Sequence, residues 1–326
     1  MATSGSVDFT VTRNELICSS LRILGQLDFR AEPSVPEYSM ASQALNMMVK
    51  AWQNRDIGLW LNDQATLHLD TTSESYSLSS SGAHCAYTSY KTATSADADT
   101  GDKTIDVDSD DNISDGDYIG IELQAGSVQW NTVDGTPTGD TVALDDALTD
   151  DVDEDATVYN YTTKIYRPLE ILEMRIRNSA GNDTPIQLVG RKKYMSISDK
   201  DTASTPTIAW YDPQLSAGVL YLWPVSDTIE NRIVFTVKVP VEDFDAAANN
   251  ADFPVEWLEA LKYNLALRLA PEYMTKYLRN PTQYKPISQQ HLAMIVDIAR
   301  QSLYDAEIAD IEDGSIFFAP NLDGYY

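Results

Sequence analysis

Asp106, Asp108, Asp110, Asp111, Asp115 and Asp117 crowd one short stretch of the chain, and carboxylates at that density are what a calcium loop requires. The EF-hand pattern needs glycine at its sixth position, but counting from Asp106 gives Asp111 and counting from Asp108 gives Ile113. The pattern fails, so the stretch reads as a solvated acidic turn and no metal is expected. His68, His84 and His291 lie in different regions with no Cys or His at metal-ligand spacing, and each reads as a surface or packing histidine. There is no phosphate loop, dinucleotide fingerprint, GxSxG elbow or HExxH helix. Paired carboxylates are common in so acidic a chain and nominate no glycosidase pair. The expectation is a non-enzyme with no catalytic residue and no cofactor.

Three further groups carry chemistry of recognition. Arg191, Lys192 and Lys193 form the only basic run; three charges on an acidic molecule are a weak nucleic-acid signal, and the run reads as an inter-subunit salt partner. The six tryptophans, Trp52, Trp60, Trp130, Trp210, Trp223 and Trp257, are placed mostly as core by their period, not as a sugar-binding platform. The segment after Gly314 keeps Ile316, Phe317, Phe318, Tyr325 and Tyr326 apolar while Pro320 and Gly324 forbid a long helix. These residues read as a docking arm for a partner protein or a neighbouring subunit.

Composition sets the frame for these groups. At 326 residues and 43% hydrophobic content the chain can bury more than one core. Fifty acidic against 23 basic residues give a formal net charge of -27, which repels nucleic acid phosphates over most of the surface. No apolar run is long enough to cross a bilayer, and Met1 to Asp8 lacks the features of a secretory signal. Folding in a cytoplasm is expected, with no membrane partner. Cys18, on a helical apolar face, and Cys85, in a Ser-rich loop, are then reduced thiols.

The elements that must position all this fall into two kinds. Pro254 to Pro271 gives the least ambiguous helix: Leu258, Leu261, Leu265 and Leu269 form one stripe, widened by Trp257 and Tyr263, with Pro254 at its start and Pro271 as its stop. Two helices precede it at the N-terminus. Thr12 to Glu15 has capping-box spacing and opens a helix to about Leu24, ended by Gly25; Ser34 to Glu37 opens a second, carrying Ala41, Leu45, Met48 and Trp52 until Gly58. A last helix starts near Pro286 and runs to about Ile311. Between Trp60 and Asp252 the period changes to strands. Residues 104–107, 118–123, 128–133, 141–144 and 157–161 are short and separated by Gly-bearing turns, while 172–176, 186–189, 207–211, 219–223 and 233–239 continue a larger sheet.

The fold class expected is α+β: a helical bundle formed by the N- and C-terminal helices, with a large antiparallel β insertion that contains a second small β subdomain. The boundaries are 1–60 for the N-terminal helices, 61–91 and 162–252 for the main β domain, and 92–161 for the small barrel or sandwich. Residues 253–311 form the C-terminal helices and 312–326 the extended arm.

The helices and their order resemble a known family. Ala44 to Trp52 followed by Gly58-Leu59-Trp60 is similar to the second helix of head-to-tail adaptor proteins of short-tailed bacteriophages, also called tail accessory or packaged-DNA stabilisation proteins. Phe253-Pro254, Glu256-Trp257, Asn264-Leu265-Ala266 and Leu269 to Tyr273 resemble the third helix, and Leu21 to Gly25 fits the first. Gly218 to Pro224 and Val239 to Phe244 extend the likeness into the sheet. The resemblance implies a homo-oligomeric ring, a dodecamer by match to the portal protein, in the neck of the virion between capsid and tail. Such a ring docks under the portal, continues the channel for double-stranded DNA, helps retain the genome and receives the tail nozzle protein. The 92–161 insertion departs from the smaller members of that family and leaves room for a tail fibre or tailspike contact. The alternative reading is a carbohydrate-binding or polysaccharide-degrading phage tail or surface protein.

Overall fold

The computed structural model describes residues 9–53, 58–71 and 73–310. Along the chain come helices α1 (Arg13–Ile23) and α2 (Val35–Trp52), then strands β1 (Asn62–His68), β2 (Ser75–Leu78), β3 (Cys85–Ala86) and β4 (Tyr90–Ala93). They are followed by β5 (Thr104–Asp106), β6 (Tyr118–Glu122), β7 (Val128–Thr132), β8 (Thr141–Ala143) and β9 (Thr157–Tyr161). Next are β10 (Glu170–Arg177), β11 (Asp183–Pro185), β12 (Gln187–Leu188) and the short helix α3 (Arg191–Met195). The described chain closes with β13 (Ile208–Pro213), β14 (Gly218–Trp223), β15 (Arg232–Lys238), α4 (Leu258–Arg279) and α5 (Gln289–Ala309). The fold is thus mixed α+β with several antiparallel sheets. The ten runs given by sequence each match a strand to within two residues, while β3, β4 and β11 have no run. The chain divides into two compact units, Leu61–Pro240 and the pair of flanking segments.

In the flanking unit both capping boxes form. Thr12 N donates to Glu15 Oε2 at 2.9 Å and Glu15 N donates back to Thr12 Oγ1 at 3.3 Å, while Ser34 N donates to Glu37 Oε2 at 2.9 Å. Gly25, at φ +70°, takes the left-handed turn that ends α1. Leu261, Leu265 and Leu269 of α4 are fully buried, each contributing about 2 kcal/mol by the usual value for an enclosed leucine. Ser20 Oγ donates to Lys262 O at 2.9 Å, Asn264 Nδ2 to Ala299 O at 3.0 Å and Tyr273 OH to Glu37 Oε1 at 3.3 Å, so α4 is tied to α1, α5 and α2. Residues 241–252, assigned by sequence to the β domain, belong with the helices: Phe244 is buried, and its N–H donates to Asn46 Oδ1 at 2.9 Å.

Pro271 does not stop α4, contrary to the sequence reading; the helix runs through it to Arg279. Proline inside a helix removes one backbone donor and costs about 3 kcal/mol. Here that cost is offset because Tyr273, beyond the proline, is 1% exposed, bonds Glu37 and carries the Lys276 ammonium 4.5 Å over its ring. A buried aromatic returns a similar sum. Helix α5 begins at Gln289, capped by the Ser288 side chain, rather than at Pro286. Helix α2 ends at Trp52, ahead of Gly58.

The β unit has a main pair of sheets. Five strands run in the order β11-β10-β15-β1-β3 and four in the order β12-β13-β14-β2, and Leu67, Leu78, Ile176, Leu220 and Phe235 fill the core they share. Cys85 lies on β3, fully buried, not in a loop. Burial alone pushes its thiol well above the usual range, which keeps it protonated and unreactive. Residues 90–161 fold on a core of their own, with Ile119, Ile121, Val142 and Val158 under a sheet of order β4-β9-β6-β7 and the pair β5-β8. The acidic stretch is turn chemistry: Asp106 Oδ1 accepts from Thr141 Oγ1 at 2.6 Å, Asp115 Oδ1 from Gly135 N at 2.9 Å and Asp117 Oδ2 from Ser114 N at 2.9 Å. Among the described residues no group of His, Cys, Asp and Glu is arranged to hold a metal ion.

Pro271→Ala restores a donor for the Leu267 carbonyl. It should raise stability by about 1–2 kcal/mol after the unfolded chain regains its freedom, read as a higher midpoint in urea. An unchanged midpoint would mean that α4 does not continue past Ala270.

Candidate functional site

The polar side chains that the fold concentrates lie where residues 90–161 meet the main sheets. Strand β1 ends at His68, and its pairing with β3 sets Leu67 opposite Cys85. His68 N then donates to His84 O at 2.9 Å, which brings the two histidines side by side. The sequence reading kept them apart; the hairpin register joins them, and no short-range signal could have shown it. From the other side β7 supplies Trp130, and β9 supplies Tyr159 and Tyr161. The His84 and Trp130 rings are parallel at 3.8 Å, and His68 lies 4.6 Å from the Tyr159 ring and 5.2 Å from Trp130. His84 Nδ1 and the Tyr161 hydroxyl share a hydrogen bond, and His68 Nε2 lies 3.1 Å from Ser89 Oγ.

Trp130 is half-buried, not core as its period implied, and so are Trp60 and Trp223. Its position depends on Gly120, its partner across β6 and β7. A Cβ at Gly120 would sit 2.8 Å from the Trp130 ring atoms, so only glycine lets the indole lie flat on the strand. With that face taken, the parallel His84 imidazole covers the other. The indole is held against His84, which closes that face to a sugar.

Two cations flank the cluster. Arg232, opposite His68 on β15, stands 5.5 Å over the Tyr159 ring. Lys164 stands 5.1 Å over Tyr118, with its ammonium donating to Gly82 O at 2.6 Å. Burial, with Arg232 and His84 adding to it, pushes the His68 imidazole down to about 3. Burial, with Lys164 adding to it, pushes His84 down to about 3 as well. Both rings are neutral at neutral pH.

A cleft of about 280 Å³ opens beside this cluster, lined by Asp70, Thr71, Ser75, Ser127, His84 and Trp130 among others. Its wall is largely bonded to itself: Tyr76 OH donates to Asp70 O and accepts from Asp70 N, both at 3.0 Å, and Ser73 Oγ donates to Asp70 Oδ2 at 3.4 Å. Ser89 and His68 make the first two members of a hydrolase triad, but the buried His68 Nδ1 has no partner among the described residues. A carboxylate would have to stand there to orient the ring.

The site residues named from sequence lie elsewhere. Arg191, Lys192 and Lys193 are exposed on α3, with the Arg191 guanidinium 5.9 Å over Trp210 and Lys193 Nζ donating to Gln187 Oε1 at 2.9 Å. Ile316, Phe317, Phe318, Tyr325 and Tyr326 lie outside the described residues. No helix among the described residues is long and apolar enough to cross a membrane.

No family model and no curated protein matches the chain. Among solved structures, the Gp54 tailspike of Acinetobacter baumannii bacteriophage AP22, in complex with A. baumannii capsular saccharide, aligns at 16% identity with a TM-score of 0.21. The alignment covers 24% of this chain and 15% of that chain. A likeness of that size carries no argument about fold or function.

Gly120→Ala should force Trp130 off His84 and destabilise the β unit by about 1–3 kcal/mol, the usual cost of overpacking. Urea unfolding followed by near-ultraviolet circular dichroism reads both effects. Wild-type stability with an unchanged aromatic signal would show that the indole is not held by this clamp.

Proposed function

We propose that the chain is a structural virion protein of a short-tailed bacteriophage, the head-to-tail adaptor that docks to the portal protein and receives the tail nozzle. The observation that carries this reading is the placing of the helices. Most of the motifs that resemble the family lie toward the two ends of the chain, and the helices they form, α1, α2 and α4, fall with α5 in one unit while the β unit is inserted between them. In this reading the four helices make one bundle, twelve copies close a ring, and the ring continues the channel for double-stranded DNA.

Three features agree with it. A net charge of -27 suits passage of DNA wherever acidic residues of the helical unit line the channel. The basic run on α3 is exposed and so free to meet a neighbour's acidic surface. Residues 90–161 form a second β module with its own core, which suits a fibre or tailspike contact. The carbohydrate alternative is the weaker one, because the half-exposed tryptophan that lines the cleft beside the histidines has one face covered by His84.

The test is to mix the purified protein with purified portal rings and image them in negative stain. Rings capped with twelve-fold density are expected, and a chain truncated after Asp313 should keep its melting temperature while losing the caps. Uncapped portal rings, together with binding or cleavage of a capsular polysaccharide, would overturn the adaptor reading.

A further inference from the structure

The seam between residues 90–161 and the main sheets is built around two imidazoles whose ring nitrogens meet hydroxyls: Ser89 for His68 and Tyr161 for His84. A hydroxyl can serve a neutral ring as donor or acceptor, but an imidazolium needs an acceptor on both nitrogens. The buried Nδ1 of His68 has none among the described residues. The charged neighbours also discourage a proton. Arg232 comes from β15 and Lys164 from the segment after β9, and both act on the rings through space. The carboxylates nearby face other groups. Glu122 of β6 accepts from Thr157 N at 3.1 Å and, with Glu230 ahead of β15, acts on Tyr159; Asp70 is engaged by Ser73. Tyr118, Tyr159 and Tyr161 supply the remaining titratable groups, and burial raises the last two.

We infer that this seam is an acid-operated latch: protonation of His68 and His84 sets two further cations beside Arg232 and Lys164 where Trp130, Tyr159 and Tyr161 grip, and residues 90–161 swing away from the main sheets with both parts still folded. The two parts can separate intact because each has its own core. The inference is independent of the adaptor reading.

The direction follows from linkage. Both imidazoles sit below their ordinary value of about 6.5 while the latch is closed. The closed state is therefore fully favoured above that pH and loses ground as pH falls toward about 3. Below about pH 6.5 each histidine multiplies the opening constant about tenfold per pH unit, and two multiply it about a hundredfold. The window from pH 6.5 to 5 lies above the ordinary carboxylate range, so the histidines alone set the slope there.

Opening uncovers Tyr159 and Tyr161, which are 3% and 1% exposed where they meet His68 and His84, so hydroxyl-radical labelling of these two rings on the full chain reads it. While the open state is rare, labelling is expected to rise about a hundredfold per pH unit at both. Amides inside β6–β9 and β10–β15 should stay protected from exchange. His84→Asn, which keeps an amide near Tyr161, and His68→Gln, which keeps one near Ser89, should each reduce the slope to about tenfold, and the double variant should abolish it. A flat wild-type slope, the wild-type slope in the double variant, or loss of protection throughout the β unit would overturn the latch. Should a variant not fold, nitrogen spectra of the rings in the wild-type chain decide. Charged His68 and His84 signals must appear only with the opened population, and charged rings while Tyr159 and Tyr161 stay unlabelled would overturn it.

Discussion

The antiparallel pairing of β1 with β15 is the constraint on which the rest of the β unit depends. It runs from Asn62 opposite Lys238 to His68 opposite Arg232, so the first and last strands of a long insertion lie side by side. Closing so long a loop costs entropy that grows only slowly with length, and a full ladder of backbone bonds with Leu67, Ile233 and Phe235 buried beneath it is ample return. The same device recurs one level down. Residues 90–161 are closed by β4 on β9, from Tyr90 opposite Asn160 to Ala93 opposite Thr157. Each insertion thus carries its own clasp, which is why a second β module can sit inside the first without breaking its core.

The cluster at the seam follows from where those clasps end. His68 is the last residue of β1 and Tyr161 the last of β9, so the outer clasp and the inner one deliver their terminal side chains to the same place. An apolar seam there would hold as firmly and would be indifferent to pH. The residues present are aromatic but titratable, and their desolvation is tolerable only while they stay neutral. Gly120 is the complementary element, since removing one side chain from β6 is what lets Trp130 lie between strand and imidazole.

Local rules made most of the fold legible in the sequence. Both capping boxes and the strand alternation are statements about neighbours in the chain, and the structure keeps them at Thr12, Ser34 and along β14. The readings that failed all needed distant residues. Pro271 stays helical because Tyr273 reaches Glu37 far away in sequence. Cys85 is core because β1 pairs with a strand of two residues too short to show a period. His68 and His84 meet through a register, and the role of Trp130 rests on a glycine that no spacing rule would have linked to it. The basic run became the short helix α3 because Gly190 N-caps it while Tyr194 buries against Trp210.

The acidity of the chain also takes on a different meaning once the turns are seen. Beside the three carboxylates of the 106–117 stretch, Asp97 accepts from Glu154 N, Asp102 from Asp99 N, Asp150 from Ala125 N and Asp151 from both the N–H and the hydroxyl of Thr100. These are aspartates chosen for tight turns, where a short side-chain acceptor satisfies a backbone donor that no ladder reaches. Much of the negative charge of residues 90–161 is therefore a by-product of joining short strands closely, and it would be present whatever flowed past the molecule. A surface meant to repel DNA has to be identified by position on the channel wall, not by a total. The adaptor reading accordingly rests on the helices, and the net charge serves it only where acidic residues of the helical unit face the lumen of the ring.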